Sequence, residues 1–345
     1  MNKEISGILL NKNAWPIEQL SCVRTFHKQL YEWLDLPYEK YMAGAISKGR
    51  WQEDIFLPNG KAISPFSAGM CILEYKRTAV FVQGIYAAIH DALKKYSHRP
   101  IRILYAGTGP FAPLALLQTP YFSADEIQFT FLDVHEESLL YLQKLLQLHE
   151  LEDYAETYIK GDATMFNPKN YPELEKKEKY DIIITEVMQR ALEKEPQVAV
   201  TINLCKFLKP DGFFIPELVK VSLAYLIRGN DYIDEKNNTL IRKESWQGKT
   251  TLLRLGHRNL PDTNTRGKIR LGEIIVPDYY NKEMEPYLLT DITVYKENQL
   301  TKNDCSLNIP SPLRYDIQAG SKLEIIYKLD NVPGIAFEKI LSTLE

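Results

Sequence analysis

A chain of 345 residues with 42 Lys and Arg against 45 Asp and Glu carries a net charge of −3, too little to draw it to nucleic acid or an anionic membrane. Its 45% hydrophobic and 25% charged residues suit a globular protein long enough for two or three domains. Cys22, Cys71, Cys205 and Cys305 form no C-x-x-C pair and the six histidines show no H-x-x-x-H spacing, so no metal site or disulfide framework is expected. This cysteine usage predicts a reducing, cytoplasmic compartment; no apolar run is long enough to span a bilayer, and the one at the N-terminus is too short for a signal-peptide core.

Residues 1–62 read as an N-terminal helical region. From Pro16 to Leu34 the apolar residues Ile17, Leu20, Val23, Phe26, Leu30 and Trp33 recur at helical spacing. A Pro/Gly loop spans Leu57 to Pro65, and residues 70–96 read as helix. From Ile101 the period changes. Ile101 to Tyr105 is a strand, followed by a glycine loop and a helix that begins at Leu114 to Leu117. Ile127 to Leu132 is a second strand ending at Asp133, with a helix over Glu136 to His149. Ala155 to Ile159 and residues 181–185 are the third and fourth strands. A helix at about 196–207 and the turn Pro210-Asp211-Gly212 lead to Phe213. This alternation predicts an α/β fold, a Rossmann-like doubly wound parallel sheet over 63–215. Beyond Pro216 the pattern alternates, in Val219 to Ile227, Thr250 to Leu255, Ile274 to Val276, Asp291 to Tyr295 and Lys322 to Tyr327. That predicts a β-rich, barrel-like domain over 216–345, interrupted by a polar interval at roughly 228–270.

The chemistry concentrates at the strand ends. The apolar run Ile182 to Ile184 reads as a buried parallel strand, and it ends in Thr185-Glu186, at the carboxyl edge where open α/β sheets bind ligands. Glu195 follows nine residues later, just before Pro196. Two carboxylates facing one cleft can grip a planar cation such as a guanidinium with charge-assisted hydrogen bonds; taken alone, such a pair reads first as solvated loop charges, and what lies upstream changes that reading. Upstream, Gly107-Thr108-Gly109-Pro110-Phe111-Ala112 fits G-x-G-x-x-A between strand and helix, where glycines let the backbone approach a ligand. Asp133 stands where an acid accepts hydrogen bonds from ribose hydroxyls. An NAD-dependent oxidoreductase and an S-adenosylmethionine (SAM) methyltransferase share these features. Three others favour SAM: a helix just before the first strand, Gly161-Asp162 at the end of the third strand near an adenine amino group, and the acid Glu186 ending the fourth. The oxidoreductase reading leaves Glu186 and Glu195 without a role, and a non-enzymatic scaffold would have no need to keep the pair.

With these residues placed, roughly residues 64–335 resemble the arginine N-methyltransferase family of class I SAM-dependent methyltransferases. The resemblance implies that Glu186 and Glu195, bracketing a hairpin loop after the fourth strand, hold a substrate guanidinium, and that Met188 shapes the pocket. It implies SAM as cofactor, held by Gly107, Gly109 and Pro110 of the glycine loop, Asp133 at the ribose, Asp162 at the adenine and Arg77, of the pair Arg77-Thr78, at the SAM carboxylate. The proline after the last glycine looks closest to the symmetric-dimethylating branch. The family's Thr-His-Trp loop is absent, its nearest counterpart being Leu289-Thr290-Asp291, and no dimerisation arm is recognisable after Pro216. A homodimer would use the N-terminal helical region instead. The altered pocket wall and balanced charge favour free L-arginine or a small guanidine, as in the family's natural-product relatives. The alternative is arginine within a protein. The partners of the acceptor's α-amino and carboxylate groups are expected in the N-terminal region or in 228–295.

Overall fold

The computed structural model describes residues 3–44, 49–175, 177, 179–228, 232–234, 239–241, 244–261, 267–278, 284–313, 315 and 318–339. Two helices open the chain, α1 (Lys3–Leu10) and α2 (Pro16–Trp33). Pro16 occupies the first position of α2, where no intrahelical bond is lost, and the Glu18 carboxylate accepts the Trp15 amide at 3.0 Å. Of the apolar residues that predict this helix, Val23, Phe26 and Leu30 are buried, whereas Ile17 in the first turn is exposed. The N-terminal region does not stay helical to residue 62. Ile55–Leu57 and Gly60–Ala62 form an antiparallel hairpin, with Leu57 paired to Gly60. The long helix predicted from residue 70 is α3 (Tyr75–Lys95); the preceding residues form short turns, of which the first is capped by Ser64 on the Ser67 amide at 3.2 Å.

Next come β1 (Ile101–Ala106), β2 (Ile127–Asp133), α4 (Glu136–Leu148), β3 (Ala155–Lys160), β4 (Tyr180–Thr185), α5 (Gln197–Leu204) and β5 (Leu208–Ile215). The helix expected from Leu114 is a single turn, Pro113–Leu116. The five strands form one wholly parallel sheet in the order β3-β2-β1-β4-β5. Both faces are covered, and for that reason β4 is buried along its whole length, with the apolar run Ile182 to Ile184 rather than an alternating pattern. Ile182 and Ile184 enter the larger core with Phe81 and Ile85 of α3 and Leu142 of α4; Ile183 enters the smaller one with Val200 and Leu204 of α5. In this order the strand-order reversal falls at β1 and β4, which opens a crevice at their carboxyl ends.

After β5 the chain turns antiparallel. It forms β6 (Leu218–Arg228), β7 (Glu244–Leu255), β8 (Lys268–Ile275), β9 (Met284–Tyr295), β10 (Lys322–Lys328) and β11 (Gly334–Lys339). The strand β6 lies between β7 and β9, and β10 lies between β8 and β11. The polar interval expected at 228–270 holds β7 and the start of β8; the rest of it falls partly outside the described residues. The two halves meet along α3. A Cβ on Gly84 would lie 2.5 Å from Val294 Cγ1, so only glycine lets the helix cross β9 this closely, and the Tyr295 hydroxyl donates to Asp91 at 2.8 Å.

Candidate active site

A cavity of about 550 Å³ lies at the carboxyl edge of the parallel sheet. Its lining includes Arg77, Gly107, Gly109, Asp133, Asp162, Glu186, Met188 and Glu195, so the fold gathers eight of the nine residues singled out in the sequence around one space. The ninth, Pro110, is buried behind the glycine loop and does not line it.

The glycines have a more local reason than ligand approach. Gly107 and Gly109 adopt φ of 78° and 57°, conformations open to glycine. A Cβ on Gly107 would lie 2.4 Å from Val187 Cγ1 and 2.9 Å from the Glu186 carbonyl, and one on Gly109 would lie 3.1 Å from the Ala68 Cβ. Gly107 is therefore glycine because the exit of β4 passes against it, and Gly109 because the turn carrying Ala68 does. The Glu186 amide, donating to the Ala106 carbonyl at 3.2 Å, fixes that exit.

Asp133 ties the loop to β2. One carboxylate oxygen accepts the Gly109 amide at 2.9 Å and the Thr108 hydroxyl at 3.3 Å, and the other accepts the His135 amide at 2.8 Å. A carboxylate has about four acceptor positions, so about one remains for a ligand. Burial holds its acidity below the ordinary, outweighing the bonds from His135 and Gly109 that favour the ionised form. Asp162 spends one oxygen on the Thr164 amide at 2.8 Å, closing the turn after β3, and presents the rest to the cavity.

Arg77 organises the charges. It lies in the first turn of α3, buried, and bonds Glu74 at 2.8 Å and Glu186 directly. Its guanidinium stays charged well beyond the usual range: the burial that opposes the charge is overcome by the surrounding Cys71, Glu186 and Glu74. Glu74 is lowered despite burial, because Arg77 and Ser306 both favour its anion. Glu195 behaves differently. Burial, then the nearby Glu186 charge, push it up to about 7, and Arg77 and a bond from Gln189 offset this only in part. The two glutamates thus sit close enough to repel, one anchored to an arginine and the other without a fixed cation. A cation between them would relieve both.

The loop joining the glutamates is strained and held from three sides. Ala191, Leu192 and Lys194 all have positive φ, between 56° and 65°, which costs energy in residues other than glycine. The second half of the chain supplies much of the restraint. The Tyr327 hydroxyl donates to the Leu192 carbonyl at 2.6 Å, Thr290 accepts the Ala191 amide at 2.8 Å, and the Lys194 amide reaches the Pro333 carbonyl at 2.9 Å. From α5, Gln197 bonds Thr185 at 2.8 Å and accepts the Val187 amide at 3.3 Å. From the N-terminal hairpin, the Lys61 amide donates to the Lys194 carbonyl at 2.8 Å.

These restraints alter the expected pocket wall. Leu289-Thr290-Asp291 lies in the middle of β9, where Thr290 supports the loop from behind and Asp291 turns away to Lys220 and Lys249. The wall is formed instead by Ser306, Leu307 and Ile309; Ser306 also donates to Glu74 through its amide at 2.7 Å and its hydroxyl at 2.8 Å. Among the described residues, 228–295 contributes nothing to the cavity lining. Glu74, Lys61, Asp54 and Ser306 escaped the sequence reading. Only Glu74 left a signal there, an acid three residues before Arg77.

No family model matches the sequence, and no curated protein does. Solved structures do match. A chain of the Trypanosoma brucei PRMT1 enzyme–prozyme heterotetrameric complex with AdoHcy superposes with a TM-score of 0.50 at 13% identity, over 79% of this chain and 92% of that one. Arabidopsis thaliana protein arginine methyltransferase 10, in an open conformation, gives 0.45 at 14% identity, over 73% of this chain and 84% of that one. With its parallel sheet, the antiparallel sheets that follow, and a match over most of both chains, this protein has the fold of the arginine methyltransferases.

Proposed function

We propose that this protein is a SAM-dependent guanidino N-methyltransferase whose acceptor is free L-arginine or a similar small guanidine. The observation that carries the reading is the single cavity in which two mutually repelling glutamates face the glycine loop and the acid ending β2. The residues present suit the cofactor. Arg77 has N–H groups beyond those used on Glu74 and Glu186 to meet a ligand carboxylate, Asp133 keeps an acceptor for ribose, and Leu132, Val134 and Ala163 give apolar wall beside Asp162 for a purine. When bound, SAM supplies an electrophilic methyl group on a cationic sulfur.

The chain's own part is binding, orientation and proton handling. A guanidinium stays protonated at neutral pH and its lone pairs are delocalised, so it is a poor nucleophile. Glu186 and Glu195 accept its N–H groups and draw positive charge away from the attacking nitrogen. Glu186 is kept in place by Arg77, and the strained loop fixes Glu195 relative to it. When the nitrogen takes up the methyl group and the methyl–sulfur bond breaks, leaving a neutral thioether, the nitrogen would shed one proton. Glu195, the glutamate not held by Arg77, would receive it. Incubation with SAM and a panel of guanidines tests the reading: free L-arginine should gain one methyl mass. Efficient methylation of an arginine–glycine-rich peptide with no product from L-arginine would establish the protein-arginine alternative, and no methyl gain on any guanidine would reject both.

A further inference from the structure

Besides the glutamates, the cavity lining holds a second constellation of charges. Asp54 immediately precedes the N-terminal hairpin and Lys61 lies in its second strand, both line the cavity, and Lys61 Nζ meets Asp54 Oδ2 at 2.6 Å with each side chain about a quarter exposed, at 26% and 27%. The other Asp54 oxygen accepts the Ser64 amide at 2.8 Å, so the carboxylate is oriented before any ligand arrives. The hairpin itself is docked tightly. A Cβ on Gly60 would lie 2.8 Å from the Lys194 carbonyl, and the Lys61 amide donates to that same carbonyl at 2.8 Å, one residue before Glu195. On its other side the Asn59 amide group reaches the Thr164 hydroxyl at 3.3 Å, across the turn that carries Asp162. The Lys61 charge is felt at the Glu195 carboxyl, where it favours the anion.

We propose that Lys61 and Asp54 are the receptor for the amino-acid end of the acceptor, Lys61 taking its α-carboxylate and Asp54 its α-ammonium. The proposal rests on the guanidino-methylation reading and deepens it. A free ω-guanidino amino acid carries a cation at one end and a zwitterion at the other, separated by a short methylene spacer. The cavity carries acids for the first and, among its other charges, an oriented lysine–aspartate pair for the second. Exchange of partners, from lysine–aspartate to two ligand pairs, keeps every charge compensated, so binding leaves no group buried and unpaired. Arginine within a peptide offers neutral amides at those positions and would leave the pair unchanged. An ion pair that served only to close the hairpin would have no reason to line the cavity, since the backbone contacts at Gly60 and Lys61 already close it.

The test compares kcat/KM for L-arginine, agmatine, which lacks the carboxylate, and Nα-acetyl-L-arginine, which lacks the ammonium. The unmodified enzyme should prefer L-arginine over either by at least about tenfold, the range expected when charged partners are left unmatched. Lys61→Met should shrink the L-arginine to agmatine ratio at least about tenfold, and Asp54→Asn should do the same to the L-arginine to Nα-acetyl ratio. Affinity for S-adenosylhomocysteine, read by calorimetry, should stay within about threefold in both variants, showing that the cofactor end is intact. Ratios that do not move, with all three acceptors falling together, would assign the pair to hairpin closure and overturn the proposal. So would equal use of agmatine and L-arginine by the unmodified enzyme, although guanidino methylation would then still stand. Methylation of peptide arginine alone would remove the free amino-acid acceptor and this receptor with it.

Discussion

Glu195 has the side chain with the clearest pH signature. Its carboxyl is raised to about 7, by burial first and then by Glu186, against about 4.5 in an unfolded chain. Between those values the folded state binds a proton that the unfolded state does not, so stability is fully present below pH 4.5 and is lost as pH rises through 7. Glu195→Gln removes the penalty. It should match the parent near pH 4.5 and be more stable at pH 8, by on the order of 3 kcal/mol at most, in denaturant titrations at both pH values. The same proton competes with a guanidinium, so kcat/KM for the acceptor should fall as pH drops through about 7. A flat profile from pH 6 to 8 would contradict this role. Glu186 is the partner of Arg77 and, in the proposed function, also holds the acceptor. Glu186→Gln should lower turnover at least about a hundredfold, and wild-type turnover would remove it from the site. Asp133 spends most of its acceptor capacity on the glycine loop. Asp133→Ala should weaken S-adenosylhomocysteine binding by about 1.5–3 kcal/mol in calorimetry, through loss of both the ligand bond and the loop's geometry. Unchanged affinity would show that Asp133 serves the fold alone.

The element that walls the cavity from the N-terminal region is the hairpin Ile55–Leu57 with Gly60–Ala62. It is short, two strands of three residues, and by itself could not hold its shape in water. What holds it is docking: the Lys61 amide on the Lys194 carbonyl, Asn59 on Thr164, and the close approach of Gly60, whose φ of 132° suits glycine. Gly60→Ala introduces a Cβ against backbone, which cannot move aside cheaply. The hairpin should shift off the strained loop, and kcat/KM should drop at least about tenfold with little change in melting temperature, because the core lies elsewhere. A fully active Gly60→Ala enzyme would mean that this docking does not position the acceptor site. The loop from Gln189 to Lys194 is the complementary element. Its positive-φ residues are tolerable only because Tyr327, Thr290 and the Pro333 carbonyl restrain it, so the antiparallel half of the chain shapes a loop belonging to the parallel half.

At the scale of the whole molecule, α3 couples the two halves. It carries Arg77 at one end, packs on the parallel sheet along its length, and crosses β9 at Gly84. A ligand held in the cavity between the glycine loop, Arg77 and the loop after β4 would also meet the wall at Ser306, Leu307 and Ile309, so it would touch elements from both halves and should stabilise them together. S-adenosylhomocysteine at a hundred times its Kd should add about 2.7 kcal/mol and raise a single, cooperative thermal transition. Two transitions, with only one moving, would show that the halves unfold independently and that α3 does not couple them.

By itself, the sequence determined the layered α/β half and singled out eight residues that the fold gathers around one cavity. Strand and helix periods are local, and parallel strands buried on both faces announce themselves as apolar runs such as Ile182 to Ile184. A residue at the end of such a strand must lie at the sheet's carboxyl edge, so Asp133 and Glu186 were placed once β2 and β4 were recognised. The hairpin at 55–62, the wall at Ser306, Leu307 and Ile309, and the failure of Leu289 to Asp291 to reach the cavity were decided only by tertiary structure. So was the asymmetry of the glutamates. Whether a carboxylate is anchored by an arginine more than a hundred residues away or left to desolvation depends on which distant elements the fold brings beside it, and no local period encodes that contact.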